Sequence, residues 1–388
     1  MARSSLSKNL AKWYHRHVAD PLKNLRRQIR RGILHPRLAF GYQSFRRAIE
    51  QCRWDDAHAR LDELAAACEK ARDRQLLLEM GFAAERLGEH EKTTQWQFRS
   101  RTLSGGTRKT EWTGEDLSDA TLVVIFQESE KQGLAGGLNA GGYVAEAAAK
   151  AKHCRLIVEP RLVPIFKRSL SGIDVQAYPS PIEAIADTRL VTANPLTLKH
   201  VLGTSAEEIE GRFRPLKADE TEITGLREKY QAGQSKPLVG ISWWSSHFGK
   251  DLPSLDDWCE LIRSTDARFV NIQYGDIEAD LDVFRKTAPD RFIHDGSVDQ
   301  LKDMDRFASQ LGALDAVVTI SNTGAHLAGA MGVPTCLIRD DWFRRAWPVR
   351  SDRTPWYPHT KVYGKDGRPW PEVMAKIGER LTSQCKTD

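Results

Sequence analysis

The chain is 388 residues long, 40% hydrophobic and 28% charged, with a formal net charge of +5. That is room for two or three ordinary soluble domains, and no stretch holds the ~18–20 consecutive apolar residues that a membrane-spanning helix needs. The six cysteines (Cys52, Cys68, Cys154, Cys259, Cys336, Cys385) lie far apart and form no CxxC pair, which argues against a disulfide framework or zinc ribbon and suits a reducing compartment.

The charge is unevenly spread. Residues 1–37 hold ten Lys/Arg against the single acid Asp20, leaving 47 basic and 51 acidic residues in the remainder. Leu6, Leu10, Trp13, Tyr14, Val18, Leu22, Leu25, Ile29 and Ile33 recur every three or four positions, and Pro21 divides them into two helices. A basic amphipathic segment bordered by Trp and Tyr suits an anionic membrane surface or another acidic partner. A solvated arm and a helix docked on its own protein are the alternative readings. No apolar core is followed by a small-residue cleavage site, so no secretory signal is expected. Nucleic acid is not expected as a partner, because the rest of the chain is net negative and carries no recognition motif.

Residues 41–104 read as helical throughout. Cys52-Arg-Trp-Asp-Asp-Ala57 and Gly88-Glu-His-Glu-Lys-Thr93 stand 36 residues apart; in each a helix ends, turns and restarts on an acidic first turn. That spacing is close to the 34-residue period of tetratricopeptide helical pairs, and the region reads as a degenerate helical-repeat cap.

From Ser104-Gly105-Gly106 onward, strands alternate with helices. Thr121–Phe126, Arg155–Val158 and Leu190–Thr192 are short β-rich runs of the kind buried on both faces of a parallel sheet. A Gly-rich loop from Gly133 to Gly142 and an Ala-rich helix follow the first. Residues 216–236 are polar and helix-prone, a bridge to a second series: Leu238–Ser242, Phe269–Gln273, Ala316–Ile320 and Thr335–Ile338. Two successive β/α series imply two Rossmann-like domains facing across a cleft, with ligands outside the carboxyl ends of the strands.

The strongest local signal is Thr319-Ile-Ser-Asn-Thr-Gly-Ala-His-Leu-Ala-Gly-Ala-Met-Gly-Val-Pro-Thr335. A buried strand ends at Ile320, Ser321-Asn322-Thr323-Gly324 turn, and a small-residue helix runs to Gly332. Its N-terminus offers free backbone N–H groups to a phosphate or diphosphate, and Gly324, Ala325, Ala328 and Gly329 allow helix and ligand to approach closely. Equally, Ser321 or Asn322 caps a buried helix and nothing more.

This run resembles the donor-site signature of heptosyltransferase-like glycosyltransferases, in the bacterial branch that fuses tetratricopeptide helices to such a domain. Glu159–Phe166, Val239–Trp243, Lys250–Trp258, Asn271–Asp276 and Ser351–Pro358 resemble further family stretches in the same order, so the resemblance spans residues 118–365. It implies a GT-B fold: an acceptor domain over 118–215 and a nucleotide-sugar donor domain over 236–388, preceded by the basic segment 1–40 and the tetratricopeptide-like region 41–104. It also implies an inverting transfer from a nucleotide-sugar to a surface-glycan, lipid-linked or protein acceptor, with no metal or other cofactor.

By the same resemblance, Lys250, Thr323, Gly324 and His326 hold the diphosphate, Ser321 and Asn322 belong to the same nucleotide-sugar site, and Gln273 and Tyr274 meet the nucleoside; a solvated surface lysine is the other reading of Lys250, and buried strand-end packing that of Tyr274. Trp356 and Tyr357 serve either as a sugar or base platform or as a core plug. Family members carry a catalytic acid in a Gly-Leu-Gly-Asp turn; here the matching stretch is Gly137-Leu-Asn-Ala-Gly-Gly142, without the acid. Glu128, then Glu130, are the remaining candidates for the base that deprotonates the acceptor hydroxyl. Asp303-Met-Asp305 has the form of a metal-binding DxD but falls in a helical stretch and reads as a solvated face, while Asp340-Asp341 do not make a metal site by themselves. The expected location is cytoplasmic, with the basic arm at the inner face of the bacterial membrane. A catalytically inactive relative that binds a nucleotide-sugar or glycan and recruits partners is the alternative.

Overall fold

A computed structural model describes residues 41, 43–45, 47–48, 51, 53–70, 72–126, 134–245, 251–339 and 347–384. The basic arm, Glu128, Glu130, Lys250, Asp340, Asp341, Cys52 and Cys385 lie outside the described residues. The described chain divides into a helical unit up to Gly106 and an α/β unit from Thr107 onward.

The helical unit holds α1 (Trp54–Lys70), α2 (Arg74–Leu87) and α3 (His90–Leu103). Asp55 and Asp56 begin α1 and Lys70 ends it, each charge facing the favourable end of the helix dipole. Of the two turns expected from the sequence, the one at Gly88 is present, and the one that starts at Cys52 lies partly outside the described residues. The break between α1 and α2 was not legible in the hydrophobic pattern. It is set by Asp73, whose side chain accepts the Leu76 N–H at 3.0 Å, a local capping bond. Gly88 then closes α2 at φ 86°, a left-handed conformation that favours glycine. Leu61, Cys68, Leu77, Met80 and Ala84 form the interior, and burial pushes the Cys68 thiol up to about 12.

The α/β unit contains two parallel sheets. In the first, β1 (Ala120–Ile125), β2 (His153–Val158), β3 (Asp174–Ala177) and β4 (Arg189–Ala193) take the order β3-β2-β1-β4. Helices α4 (Gly141–Lys150), α5 (Val163–Ser169), α6 (Pro195–Leu202) and α7 (Ala206–Gly211) accompany it. The expected Gly-rich loop is, from Leu134 to Ala140, a 3₁₀ helix; Gly137 is needed because an added Cβ would sit 2.2 Å from the Phe126 ring.

Helix α8 (Glu220–Gln231) spans the expected bridge. The second sheet holds β5 (Leu238–Ser242), β6 (Arg268–Asn271), β7 (Phe292–Ile293), β8 (Ala316–Ile320), β9 (Thr335–Arg339) and β10 (Thr360–Gly364). With them run α9 (Leu255–Ser264), α10 (Glu278–Thr287), α11 (Met304–Gly312), α12 (Thr323–Met331) and α13 (Trp370–Gln384). The order β10-β9-β8-β5-β6-β7 is the Rossmann order read from its far edge, with the reversal between β5 and β8. Side chains alternate between its faces: Val317 and Leu337 join the core under α11 and α12, whereas Val318 and Ile338 join the one under α9 and α13. The sequence runs missed β3, β7 and β10, which lie at sheet edges and are short or half-exposed.

The two halves of this unit meet through polar as well as apolar contacts. Asp305 is not a solvated face: its carboxylate takes both guanidinium nitrogens of Arg168, at 2.9 and 3.1 Å, from the first half. Asp303 caps α11 by accepting the Arg306 N–H. The DxD run is therefore a cap plus an interhalf ion pair.

Candidate nucleotide crevice

Strand β5 is buried along its whole length and ends at Ser242; β8, its neighbour across the strand-order reversal, ends at Ile320. Residues immediately beyond those ends occupy the place where open α/β sheets bind ligands. Ser321 is buried and its Oγ accepts the Trp347 indole N–H at 2.8 Å. Asn322 is extended (φ −152°, ψ −175°) and caps α12, its Oδ1 accepting the Ala325 N–H at 3.0 Å. Its Nδ2 donates to Ser242 Oγ at 2.8 Å, bridging β8 to β5.

The chain of bonds continues along the sheet edge. Ser242 Oγ donates to Gln273 Oε1 at 2.9 Å, and that oxygen also accepts the Trp244 N–H at 2.8 Å. Gln273 Nε2 donates to the Tyr274 carbonyl at 3.0 Å, while Asn271 Oδ1 accepts the Gln273 N–H and its Nδ2 lies 3.1 Å from His294 Nδ1. Ser242, Asn271 and Gln273 are each only 1% exposed. In such a place an unmade hydrogen bond costs about 1–3 kcal/mol, so the string fixes the side chains of β8, β5 and β6 relative to one another.

This geometry changes the expectation for Gln273. Its amide is committed to Ser242, Trp244 and Tyr274, and it holds the crevice rather than facing it. Tyr274 stays half-buried beside Trp244, with ring centroids 6.0 Å apart and tilted by 57°. Trp244 is 43% exposed, and Gly275, at φ +94°, leaves room for its ring: an added Cβ would touch it at 3.4 Å. The sequence reading passed over Trp244. The signal was the strand alternation itself, since Trp243 points inward and donates to Asp280 at 3.0 Å while the next Trp points out.

At the start of α12 the backbone N–H groups of Thr323 and Gly324 meet no acceptor among the described residues. Two open amides at the positive end of a helix dipole are an anion-binding arrangement. The helix glycines, however, do not make room for a ligand. An added Cβ on Gly324 would sit 3.2 Å from both Phe307 Cζ and Asn322 Oδ1, and one on Gly329 would enter the Tyr357 ring at 2.7 Å. His326 is held from the side, its ring stacked on Trp347 at 4.9 Å and its Nδ1 3.1 Å from the Tyr357 hydroxyl.

Tyr357 is buried and Trp356 half-buried, and they fill the seam between the halves. Asn139, Tyr143, Arg212 and these two rings line a space of only about 10 Å³, room for about one water. Lys199 Nζ donates to Asn139 Oδ1 at 3.0 Å and stands 4.2 Å from the Trp356 ring centroid. Burial pushes the Tyr143 hydroxyl up to about 12. Among the described residues no group of three His, Cys, Asp or Glu side chains converges on a metal-sized site, and no helix is long and apolar enough to cross a membrane.

No model of a known protein family matches this chain. It is similar to Protein FlbA of Caulobacter vibrioides, 24% identical over 299 residues that cover 70% of this chain and 48% of the relative. The chain thus spans about half the length of the curated relative it matches. Among solved structures it is similar to a glycosyl transferase family 9 protein from Veillonella parvula, with TM-score 0.49, 11% identity, and coverage of 70% of this chain and all of that one. It is also similar to the E. coli ADP-heptose lps heptosyltransferase II, with TM-score 0.45, 10% identity, and coverage of 68% and 99%.

Proposed function

We propose that the chain is a heptosyltransferase-like glycosyltransferase of GT-B architecture, which takes a sugar from a nucleotide-sugar and passes it to a surface-glycan, lipid-linked or protein acceptor. The observation that carries this reading is the α12 N-terminus: it opens at the strand-order reversal of a Rossmann sheet, with Asn322 tied to Ser242 and two amides left unpaired. The Ser-Asn-Thr-x-x-His run that builds it carries the family resemblance. Departure of a nucleoside diphosphate puts negative charge where those amides point, and fixed dipoles stabilise such charge without reorganising. No metal is needed in this reading.

Thr323 and Gly324 supply the amides and Lys250 a balancing cation. Ser321, Asn322, Gln273 and His326 position them, and Tyr274 with Trp244 takes the base. Glu128, or else Glu130, removes the acceptor proton as the sugar inverts. Residues 118–215 would read the acceptor and 236–388 the donor. The tetratricopeptide-like region 41–104 and the basic arm 1–37 would bring the enzyme to its acceptor at the cytoplasmic membrane face.

One observation favours a second reading, a binding protein without transferase activity. In the stretch that matches the family's Gly-Leu-Gly-Asp turn, Ala140 stands where the acid would, and its neighbour Asn139, which accepts a hydrogen bond from Lys199, cannot act as a base. Incubating the full chain with UDP-, GDP- and ADP-sugars, with native membrane extract present, separates the two. Diphosphate release coupled to transfer is the expected result. Tight nucleotide binding with neither hydrolysis nor transfer supports the second reading, and absence of any nucleotide affinity overturns both.

A further inference from the structure

On the other face of the six-stranded sheet, between β10 and α13, lies a cavity of about 820 Å³, within the size range of small-molecule sites. Six basic side chains line it, Arg339, Arg350, Lys361, Arg368, Lys376 and Arg380, against three carboxylates. Two of those carboxylates are already used. Asp352 pairs with Lys361 at 2.8 Å, and Asp366 pairs with buried Arg339 and reaches Arg368 at 3.7 Å. Lys376 and Arg380 make no ion pair with a described residue. The Nε of Arg380 is buried without a hydrogen-bond acceptor, a costly state for a guanidinium nitrogen.

The cavity has been kept open for these groups. At Gly364 an added Cβ would meet the Arg339 guanidinium, so the glycine lets that side chain lie across β10. Helix α13 brings Lys376 and Arg380 to one side of the space, four residues and one helical turn apart. Among the described lining residues the cations outnumber the carboxylates by three, a balance that suits a compact multivalent anion. Guanidinium forks match the oxygens of phosphate and sulfate.

We propose that this cavity binds a phosphate- or sulfate-bearing anion of metabolite size, as a second site separate from the α12 crevice. The cavity lies on the face of the sheet opposite α12. The two places are nevertheless joined through one short segment, in which Trp347 bonds to Ser321, the Pro348 carbonyl accepts from Arg339 at 2.6 Å, and Val349 lines the cavity.

The test is calorimetric titration of the full chain with inorganic pyrophosphate, for the wild type, for Lys376→Gln/Arg380→Gln and for Thr323→Pro. The double substitution is expected to weaken one class of site by about tenfold or more, and that class should persist in Thr323→Pro. If pyrophosphate binding is unchanged but sedimentation with phosphatidylglycerol-containing vesicles falls about tenfold relative to neutral vesicles, the anion is a lipid headgroup. If both are unchanged, the proposal is overturned. Should the double variant fail to fold, the exposed Lys376→Gln alone carries the test. A Thr323→Pro variant that binds like wild type would count against the nucleotide crevice and leave this site standing.

Discussion

The helices α6 and α12 stand at equivalent places, each leaving the fourth strand of a Rossmann-ordered sheet, and each is capped by an asparagine. Their N-termini are opposites. At α6, Asn194 Oδ1 accepts the N–H groups of both Leu196 and Thr197 at 3.0 Å, and Pro195 has no N–H to offer. Every donor of that first turn is absent or closed. At α12, Asn322 closes only the Ala325 amide and turns its other end to Ser242 on the neighbouring strand. Two amides remain open. A shared topology thus yields an open helix start in one half and a sealed one in the other, and the difference lies in one proline and one long-range side-chain bond.

Making α12 resemble α6 is the strongest way to break that contrast. Thr323→Pro places proline at the first helical position, which tolerates it, after a residue already extended as a pre-proline residue should be. Nucleoside diphosphate affinity is expected to fall by about 1.5–3 kcal/mol, the worth of a hydrogen bond to a charged group, with the melting temperature little changed. Isothermal titration measures the first and calorimetric melting the second; equal affinities would mean that the open amides are not where the anion binds.

Trp244→Ala sharpens the comparison, because among the described residues the matching strand end has no exposed aromatic: β1 leads into Phe126, which packs against Phe166 at 5.5 Å. Nucleoside diphosphate binding should weaken by about 1–3 kcal/mol, the worth of a stacked base, while pyrophosphate binding stays constant. A parallel loss in both ligands would remove the base platform from the scheme.

Asp295, just beyond β7, tests what holds the second half rigid. Burial alone would raise its carboxyl. The Lys229 ammonium at 2.8 Å, the Ser297 hydroxyl and amide and the Tyr230 hydroxyl outweigh that and hold it well below the usual carboxylate range. A folded value below the unfolded one adds stability above pH ~4, and that contribution is lost as the pH falls through the folded value. Asp295→Asn should therefore cost about 1–3 kcal/mol near neutral pH and flatten the acid limb of the stability profile. A profile parallel to that of wild type would show that the carboxylate charge is not what matters.

The smallest effect is expected from Asn322→Ala, which removes the cap and leaves Ser242 one donor short, at about 0.5–2 kcal/mol of stability. Urea melts of this variant beside Asn194→Ala compare the two caps directly. If Asn194→Ala, with two amides released, costs less than Asn322→Ala, then the Ser242 bond outweighs a second capped amide.

Much of the fold was legible along the chain. The buried runs at 121–126, 155–158, 190–192, 238–242, 316–320 and 335–338 became strands because apolar and β-branched residues over three to six positions satisfy both faces of a parallel sheet. Strand β7 offers two residues, and β10 exposes alternate positions such as Lys361 and Tyr363, so neither gives a run to read. The small-residue turn after Ile320 was legible as well, through a favoured cap residue followed by glycine. The role of Gln273 was not: its position past a strand end suggested a ligand contact, whereas its partners come from residues 242, 244 and 274.

The sequence by itself determined the alternation of strands and helices, the two parallel series and the helix start at Asn322, because periodicity and capping act over a few neighbouring residues. Tertiary structure alone decided which groups are consumed and which are left open. Asn322 meets Ser242 across 80 positions, Gly329 gives way to Tyr357 rather than to a ligand, and Asp305 finds Arg168 in the other half. Hydrogen-bond satisfaction is settled by proximity in space, and the order of residues along a chain records that proximity only where the partners are also neighbours in sequence.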